Sequence, residues 1–281
     1  MPPPKEKLSP RKTFWNDGAC SHAMFHLINH EFDNSKVNEE KAADIMAGGL
    51  AQKGYQCGML WGGALAVGTE SYRRYKDKDE ATASAIIASQ HLIESFSDRT
   101  KAVNCREITG VDFGNKLEFA ISMIKTILRG FVFSPCFNLI AKWTPEAIQA
   151  AKNGLDSKHE QQASPLSCSS EVVKKMGASN EEATMVAGFA GGIGLSGNAC
   201  GALAAAIWFK TLKLAKENNG DAAEMFDNQD VRNLFTAFNN HTKSEVFCSK
   251  ICGKQFKSID EHTVYLKNGG CEKLIETLAT Q

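Results

Sequence analysis

The chain has 281 residues, 43% of them hydrophobic and 23% charged, enough material for two domains of ordinary size. Lys and Arg total 32 and Asp and Glu total 32, which excludes the basic footprint of a protein that tracks nucleic-acid phosphates or an anionic membrane. The apolar content likewise excludes a disordered chain. What stands out is the presence of nine cysteines.

From Met1 to Trp15 the chain reads MPPPKEKLSPRKTFW, with no apolar core of a signal peptide. The expected compartment is therefore the cytoplasm, where thiols stay reduced and cysteines serve as metal ligands or redox groups more often than as staples. Residues 1–13 read as an N-terminal tail and 14–152 as a first module. Within it, Cys20 leads an apolar-periodic run, and Asn38, followed by Glu39 and Glu40, suits a helix N-cap. A Gly-containing turn precedes Cys57 and a long apolar helix. Ala81–Phe96 repeats its apolar residues at three- and four-residue spacing, as a helix does. Cys105 and Cys136 follow, the latter behind Ser134-Pro135. Pro145 suits the first position of a helix over Pro145–Lys152. Residues 153–166, with Asn153-Gly154, Gln161-Gln162 and Pro165, read as a linker.

The second module covers 167–281. Cys168 follows Pro165-Leu166-Ser167, and Asn180 again suits an N-cap before two glutamates. From Ala183 to Phe209 no residue is charged, a length that could cross a bilayer on paper. Gly191, Gly192, Gly194, Gly197 and Asn198 break it in the middle, so the reading is two buried helices and no membrane span. Cys200, the helical stretch Ala222–Phe238, Cys248 and Cys271 complete the chain. No run alternates with period two between turn residues. The expected fold is all-α, two tandem homologous helical-bundle modules whose sites are built from converging helices.

The duplication is legible in the cysteines and their neighbours. Cys57 and Cys105 are 48 residues apart, as are Cys200 and Cys248, and the two pairs share an offset of 143. Cys105, Ile108, Gly110 and Phe113 coincide at that offset with Cys248, Ile251, Gly253 and Phe256. At 142, Asn38-Glu39-Glu40 falls on Asn180-Glu181-Glu182 and Thr100-Lys101 falls on Thr242-Lys243; a slip of one is what a loop insertion produces. Cys20 pairs with Cys168 and Cys136 with Cys271, leaving Cys252 opposite Thr109.

Six of the repeated cysteines, Cys20, Cys57, Cys136, Cys168, Cys200 and Cys271, stand where helices are expected to begin, beside unpaired N–H groups and the positive dipole end. Both favour the thiolate, the form that ligates metals and exchanges disulfides. The plain alternative is that cysteine is a small buried hydrophobe. Four positions kept in order in two copies speak against that.

Each copy resembles a family of cysteine-rich helical proteins known by its pattern, C_GCAxxG_C_C, and given a redox role. The core of the pattern stands here as Gln56-Cys57-Gly58-Met59-Leu60-Trp61 and Ala199-Cys200-Gly201-Ala202-Leu203-Ala204. Its leading glycine is replaced by Gln56 or Ala199, its alanine by Gly58 or Gly201, and its closing glycine by Trp61 or Ala204. The resemblance implies a helical domain of redox character, sometimes associated with an iron–sulfur centre; it implies no substrate.

Four thiolates from separate helices suit an iron–sulfur cluster, a dithiol exchanger that uses two of them, or a structural zinc, whose usual close CxxC pairs are missing. The first expectation is electron transfer or redox sensing through Cys20, Cys57, Cys105 and Cys136 in one module and Cys168, Cys200, Cys248 and Cys271 in the other. The alternatives are a metal-free thiol–disulfide oxidoreductase and a zinc- or thiol-stabilised scaffold. A redox partner protein is expected and nucleic acid is not; a homodimer stays open. His22, His26 and His30 share a helix face that could bind metal or haem, but Ser170 and Lys174 replace the first two in the second copy, and a polar helix face is the preferred reading. Gly192-Ile193-Gly194-Leu195-Ser196-Gly197 matches GxGxxG without the strand that motif needs, so it reads as a turn with close helix packing.

Overall fold

The structure, a computed structural model, describes residues 7–129, 134–157, 164–217 and 228–281. The first half holds α1 (Pro10–Asp17), α2 (Cys20–Glu31), α3 (Val37–Ala42), α4 (Gly58–Arg74), α5 (Lys78–Thr100), α6 (Cys105–Thr109), α7 (Lys116–Arg129) and α8 (Pro135–Asp156). The second holds α9 (Cys168–Lys175), α10 (Asn180–Met185), α11 (Gly201–Glu217), α12 (Gln229–Thr242), α13 (Cys248–Ile251), α14 (Ile259–Lys267) and α15 (Glu272–Ala279). Among the described residues there is no strand. The fold is all-α, as expected.

The duplication is exact in the backbone around the second cysteine of each half and at its bridge to the third. Helices α3 and α10, and α4 and α11, begin and end at positions related by 143. Single antiparallel bridges, Gln56 with Asn104 and Ala199 with Phe247, obey the same offset. So do the bonds beside them, Cys57 N–H to Val103 C=O at 2.8 Å and Cys200 N–H to Val246 C=O at 2.9 Å. The slip to 142 is real at the ends of α5 and α12, where Lys101 and Lys243 are both left-handed caps. Ser244, with φ of 64°, follows as the inserted residue.

Several local expectations shift. Helix α3 starts at Val37, ahead of Asn38. Asn180 is the first residue of α10, because Ser179 one place earlier forms a capping box with Glu182, satisfying two orphan donors where Asn alone would satisfy one. Pro145 lies inside α8 and opens nothing. Trp143 stacks edge-on against Phe96 at 4.7 Å, Ala147 and Ala151 are fully buried beyond the proline, and packing on both sides holds the helix through it. The helix then runs on to Asp156, past the expected boundary at residue 152, with Gly154 pressed against Ala88 of α5. The rest of the linker over 158–163 lies outside the described residues. Of the expected tail, residues 1–6 lie outside the described residues, and α1 already begins at Pro10. Residues 222–227 of the Ala222–Phe238 stretch are likewise outside them, and α12 begins at Gln229. The uncharged Ala183–Phe209 stretch forms the end of α10, a turn and the start of α11, and no helix among the described residues is long and apolar enough to cross a membrane.

The two halves interlock. The long α4 of the first half packs on the short α10 of the second, and α11 packs on α3 in return. Trp61 meets Phe189 edge-on at 4.8 Å, and the Trp208 indole N–H donates to Glu39 C=O at 3.3 Å. Lys216 reaches both Glu39 at 3.4 Å and Glu182 at 2.8 Å. One continuous apolar core contains residues of both halves. At its centre the fully buried Gln56 amide donates to Gly192 C=O at 3.0 Å and accepts from Ala199 N–H at 3.0 Å. Truncating that side chain strands the buried Ala199 N–H and leaves the Gly192 carbonyl with the Ser196 hydroxyl alone. Gln56→Ala is therefore expected to lower stability by about 3 kcal/mol in a urea titration, whereas Gln149→Ala on the exposed face of α8 should stay within about 0.5 kcal/mol.

Candidate redox-cysteine site

Ahead of the second cysteine of each half the backbone runs left-handed for five consecutive residues. In the first half φ is 68°, 77°, 62°, 48° and 62° over Gly48, Gly49, Leu50, Ala51 and Gln52. In the second it is 61°, 86°, 65°, 57° and 63° over Gly191, Gly192, Ile193, Gly194 and Leu195. Side-chain-bearing residues enter this region at about 1–2 kcal/mol each, so the turn needs compensation. Paired backbone bonds supply part of it, Gly54 N–H to Gly48 C=O at 2.9 Å and Gly197 N–H to Gly191 C=O at 2.8 Å. Complete burial of Leu50 and Ile193 supplies the rest. The GxGxxG match is thus a left-handed turn, consistent with the expected turn and close packing.

This turn serves the sulfurs. It aims the Gly48 N–H at Cys20 and the Gly191 N–H at Cys168, the first residues of α2 and α9. Its far end pairs with the third cysteine, Cys105 N–H to Tyr55 C=O at 2.6 Å and Cys248 N–H to Asn198 C=O at 2.7 Å. Gly58, directly after Cys57, leaves room for a neighbour: a side-chain carbon there would stand 2.7 Å from the Cys20 sulfur. The sequence therefore folds locally so that three cysteines share one backbone scaffold.

All eight repeated cysteines stand at or within one residue of a helix start. Cys57 and Cys271 cap α4 and α15, Cys105 and Cys248 open α6 and α13, Cys136 is second in α8, and Cys200 immediately precedes α11. They gather by halves. Cys20 and Cys57 are hydrogen-bond partners, and Cys105 and Cys136 lie within their electrostatic reach. In the second half Cys168 and Cys200 lie in the field of Cys248 and Cys271. Cys252, the residue without a counterpart, stands between them, 3.8 Å from Cys248 and 3.8 Å from Cys271. Tyr265 of α14 also bonds Cys252, with His262 close by.

The pull toward thiolate expected at the helix starts is outweighed at most of these cysteines, by burial or by a bond given to another sulfur. Burial first, and then neighbouring cysteines, push Cys136 and Cys200 up to about 12, and raise Cys105 further. Burial also raises Cys168, against the bonds from Gly191 and Ser169. Cys57 is raised through its bond to Cys20, and Cys248 and Cys271 through theirs to Cys252. One thiol per half goes the other way. Cys20 is lowered by Cys57, with help from the Gly48 amide, and Cys252 is held down to about 3 by bonds from Cys248, Cys271 and Tyr265. His262, 2% exposed, is lowered to about 4 by burial.

Cys252, Tyr265 and His262 were not expected at the site. The four-residue spacing from Cys248 was the signal for Cys252; nothing in the sequence pointed to the other two. Thr109 replaces Cys252 in the first half, its hydroxyl donating to the Cys105 carbonyl at 2.8 Å and also bonding the Cys105 sulfur. His22 and His26 stay out of the cysteine group and pair with carboxylates. As a donor set, four or five sulfurs with backbone N–H groups directed at them fit the chemistry of a thiolate-bound iron–sulfur group. Among the described residues no group of three or more His, Cys, Asp or Glu side chains is arranged to hold a metal ion.

A family model described as "Putative redox-active protein (C_GCAxxG_C_C)" matches residues 19–144 and again residues 166–281. The chain belongs to this family, twice over. No curated protein and no solved structure matches it.

The thiol electrostatics set an order of reactivity. With reduced, metal-free protein at pH about 6, where an ordinary thiol is almost wholly protonated, iodoacetamide is expected to label the partly exposed Cys252 first. Cys105 and Cys200 should lag by at least about tenfold, as read by peptide mass mapping. Equal rates at the three positions would refute the arrangement around Cys252.

Proposed function

We propose that this tandem member of the C_GCAxxG_C_C family carries electrons through an iron–sulfur group held by the four repeated cysteines of each half. Cys20, Cys57, Cys105 and Cys136 hold it in the first half, and Cys168, Cys200, Cys248 and Cys271 in the second. The observation that supports this reading is that, in each half, three cysteines distant in the chain share one repeated backbone scaffold and a fourth lies within their electrostatic reach. Dithiol exchange needs two sulfurs and leaves the others unexplained.

The electrostatics support the same reading. Crowded into a low-dielectric core, these thiols raise one another's pKa values, and only a bound cation lets four ionise together. When bound, the iron–sulfur group supplies one-electron redox chemistry. The chain's own residues do the remainder. The Gly48 and Gly191 amides stabilise negative charge on Cys20 and Cys168, and the first turn of α11 does so for Cys200. Amide hydrogen bonds to sulfur of this kind raise the reduction potential of such a centre.

A second reading has its own support in Cys252, a thiolate between two thiols. Its sulfur would attack one sulfur of a disulfide substrate, breaking that bond and releasing one substrate thiolate. Cys248 or Cys271 would then attack the mixed disulfide, closing a protein disulfide and releasing the second substrate thiol. Two electrons would pass to the substrate.

Anaerobic purification separates the two. The iron–sulfur reading expects a brown protein with iron and acid-labile sulfide in near-equal amounts, and Cys57→Ala and Cys200→Ala each losing about half of the iron. Colourless, iron-free protein would overturn it. A protein disulfide at Cys252 in that colourless material would favour thiol exchange, and bound zinc would favour a structural site.

A further inference from the structure

The cysteine chemistry leaves one cluster of titratable groups unused. On α2, His22 and His26 are four residues apart and so neighbours on one helix face, turned away from the cysteines. The His22 Nδ1 lies 3.0 Å from Asp44 Oδ1, and the His26 Nδ1 lies 3.0 Å from Asp17 Oδ2. The two carboxylates come from different elements, Asp17 from the end of α1 and Asp44 from the turn after α3. Asp44 is itself fixed by Lys41, at 2.8 Å from its other oxygen. Both histidines and Asp17 line a cavity of about 340 Å³, together with Ser35, Asn38 and Glu40.

A carboxylate on Nδ1 fixes the ring and its tautomer and turns the Nε2 lone pair outward, which is the arrangement behind metal-ligating imidazoles. Here it occurs twice on adjacent turns of one helix. We propose that His22 and His26 form a two-imidazole site for a divalent late transition-metal ion, with Asp44 and Asp17 as positioning residues and solvent in the cavity completing the coordination. Imidazole nitrogen suits zinc, copper and nickel ions. The site belongs to the first half alone, since Ser170 and Lys174 stand at the corresponding places in α9. There Ser170 bonds the Ala183 carbonyl at 2.6 Å and Lys174 pairs with Glu171 at 3.0 Å. The duplicated cysteine chemistry therefore does not require it, and the inference does not rest on the iron–sulfur reading.

Thiols bind zinc as well, so the test must read the histidines themselves. Diethyl pyrocarbonate labelling with peptide mass mapping does so, using the full chain with zinc ion as the probe at mildly alkaline pH. Zinc is expected to slow modification of His22 and His26 together by at least about tenfold and to leave the exposed His241 unchanged. Asp17→Asn and Asp44→Asn should each raise the zinc concentration for half-protection by about 10- to 100-fold. His22→Gln should abolish protection at His26, and His26→Gln protection at His22. Equal labelling of the wild-type chain with and without zinc would overturn the proposal, whether or not the variants fold. So would protection of one histidine that survives loss of the other.

Discussion

The left-handed turn is the constraint on which the rest of the molecule depends. Five consecutive residues with positive φ are costly, and the chain adopts them twice at equivalent places. What the turn achieves explains why. It delivers an amide to the first cysteine, ends at the second and pairs along its far edge with the third. A right-handed helix running through the same residues would spend those N–H groups internally and leave the sulfurs without donors. The strain is thus local to the place where backbone, and not side chains, must be presented to sulfur.

A competition between burial and hydrogen bonding then sets the character of each thiol. Helix starts favour the thiolate, yet most of these cysteines are pushed the other way: burial leads at Cys105, Cys136, Cys168 and Cys200, and a bond given to another sulfur leads at Cys57, Cys248 and Cys271. Only where another thiol donates directly does a sulfur become acidic, Cys20 in the first half and Cys252 in the second. The halves therefore share a scaffold without sharing electrostatics. A threonine hydroxyl at 109 bonds its neighbour, whereas a cysteine at 252 creates a chain of three sulfurs. One substitution separates the two sites chemically.

What the sequence made legible was the part governed by local rules. Capping chemistry, helical periodicity and repeat spacing are one-dimensional, so the all-α fold, the duplication and the cysteines at helix starts could be read directly. Conformation decided by tertiary contacts could not. Gly48-Gly49 and Gly191-Gly192 signalled a turn, but Leu50, Ala51 and Ile193 carry no sign of left-handed backbone; their burial enforces it. Pro145 reads as a helix start on intrinsic grounds, and Trp143 and Ala147 packing against α5 keeps the helix unbroken. Cys252 has no repeat partner, so the repeat spacing that marks the other eight cysteines does not mark it. Tyr265 and His262 reach the sulfurs only because α14 folds back, a long-range event without a local signature.

The departures from the family pattern acquire a reason from the interface between halves. Because α4 packs on α10 as α11 packs on α3, equivalent residues at the join meet and compete for the same space. Gln56 and Ala199 are such a pair: the Gln56 side chain lies on the Ala199 backbone N–H and the Gly192 carbonyl, and both residues are fully buried. A second glutamine at 199 would need the volume the first occupies, and two small residues would leave the Ala199 N–H without a partner in a dry core. One large amide and one methyl satisfy the join. The position directly before the second cysteine is thereby set by the joining of the halves, while the cysteine that follows is set by its site.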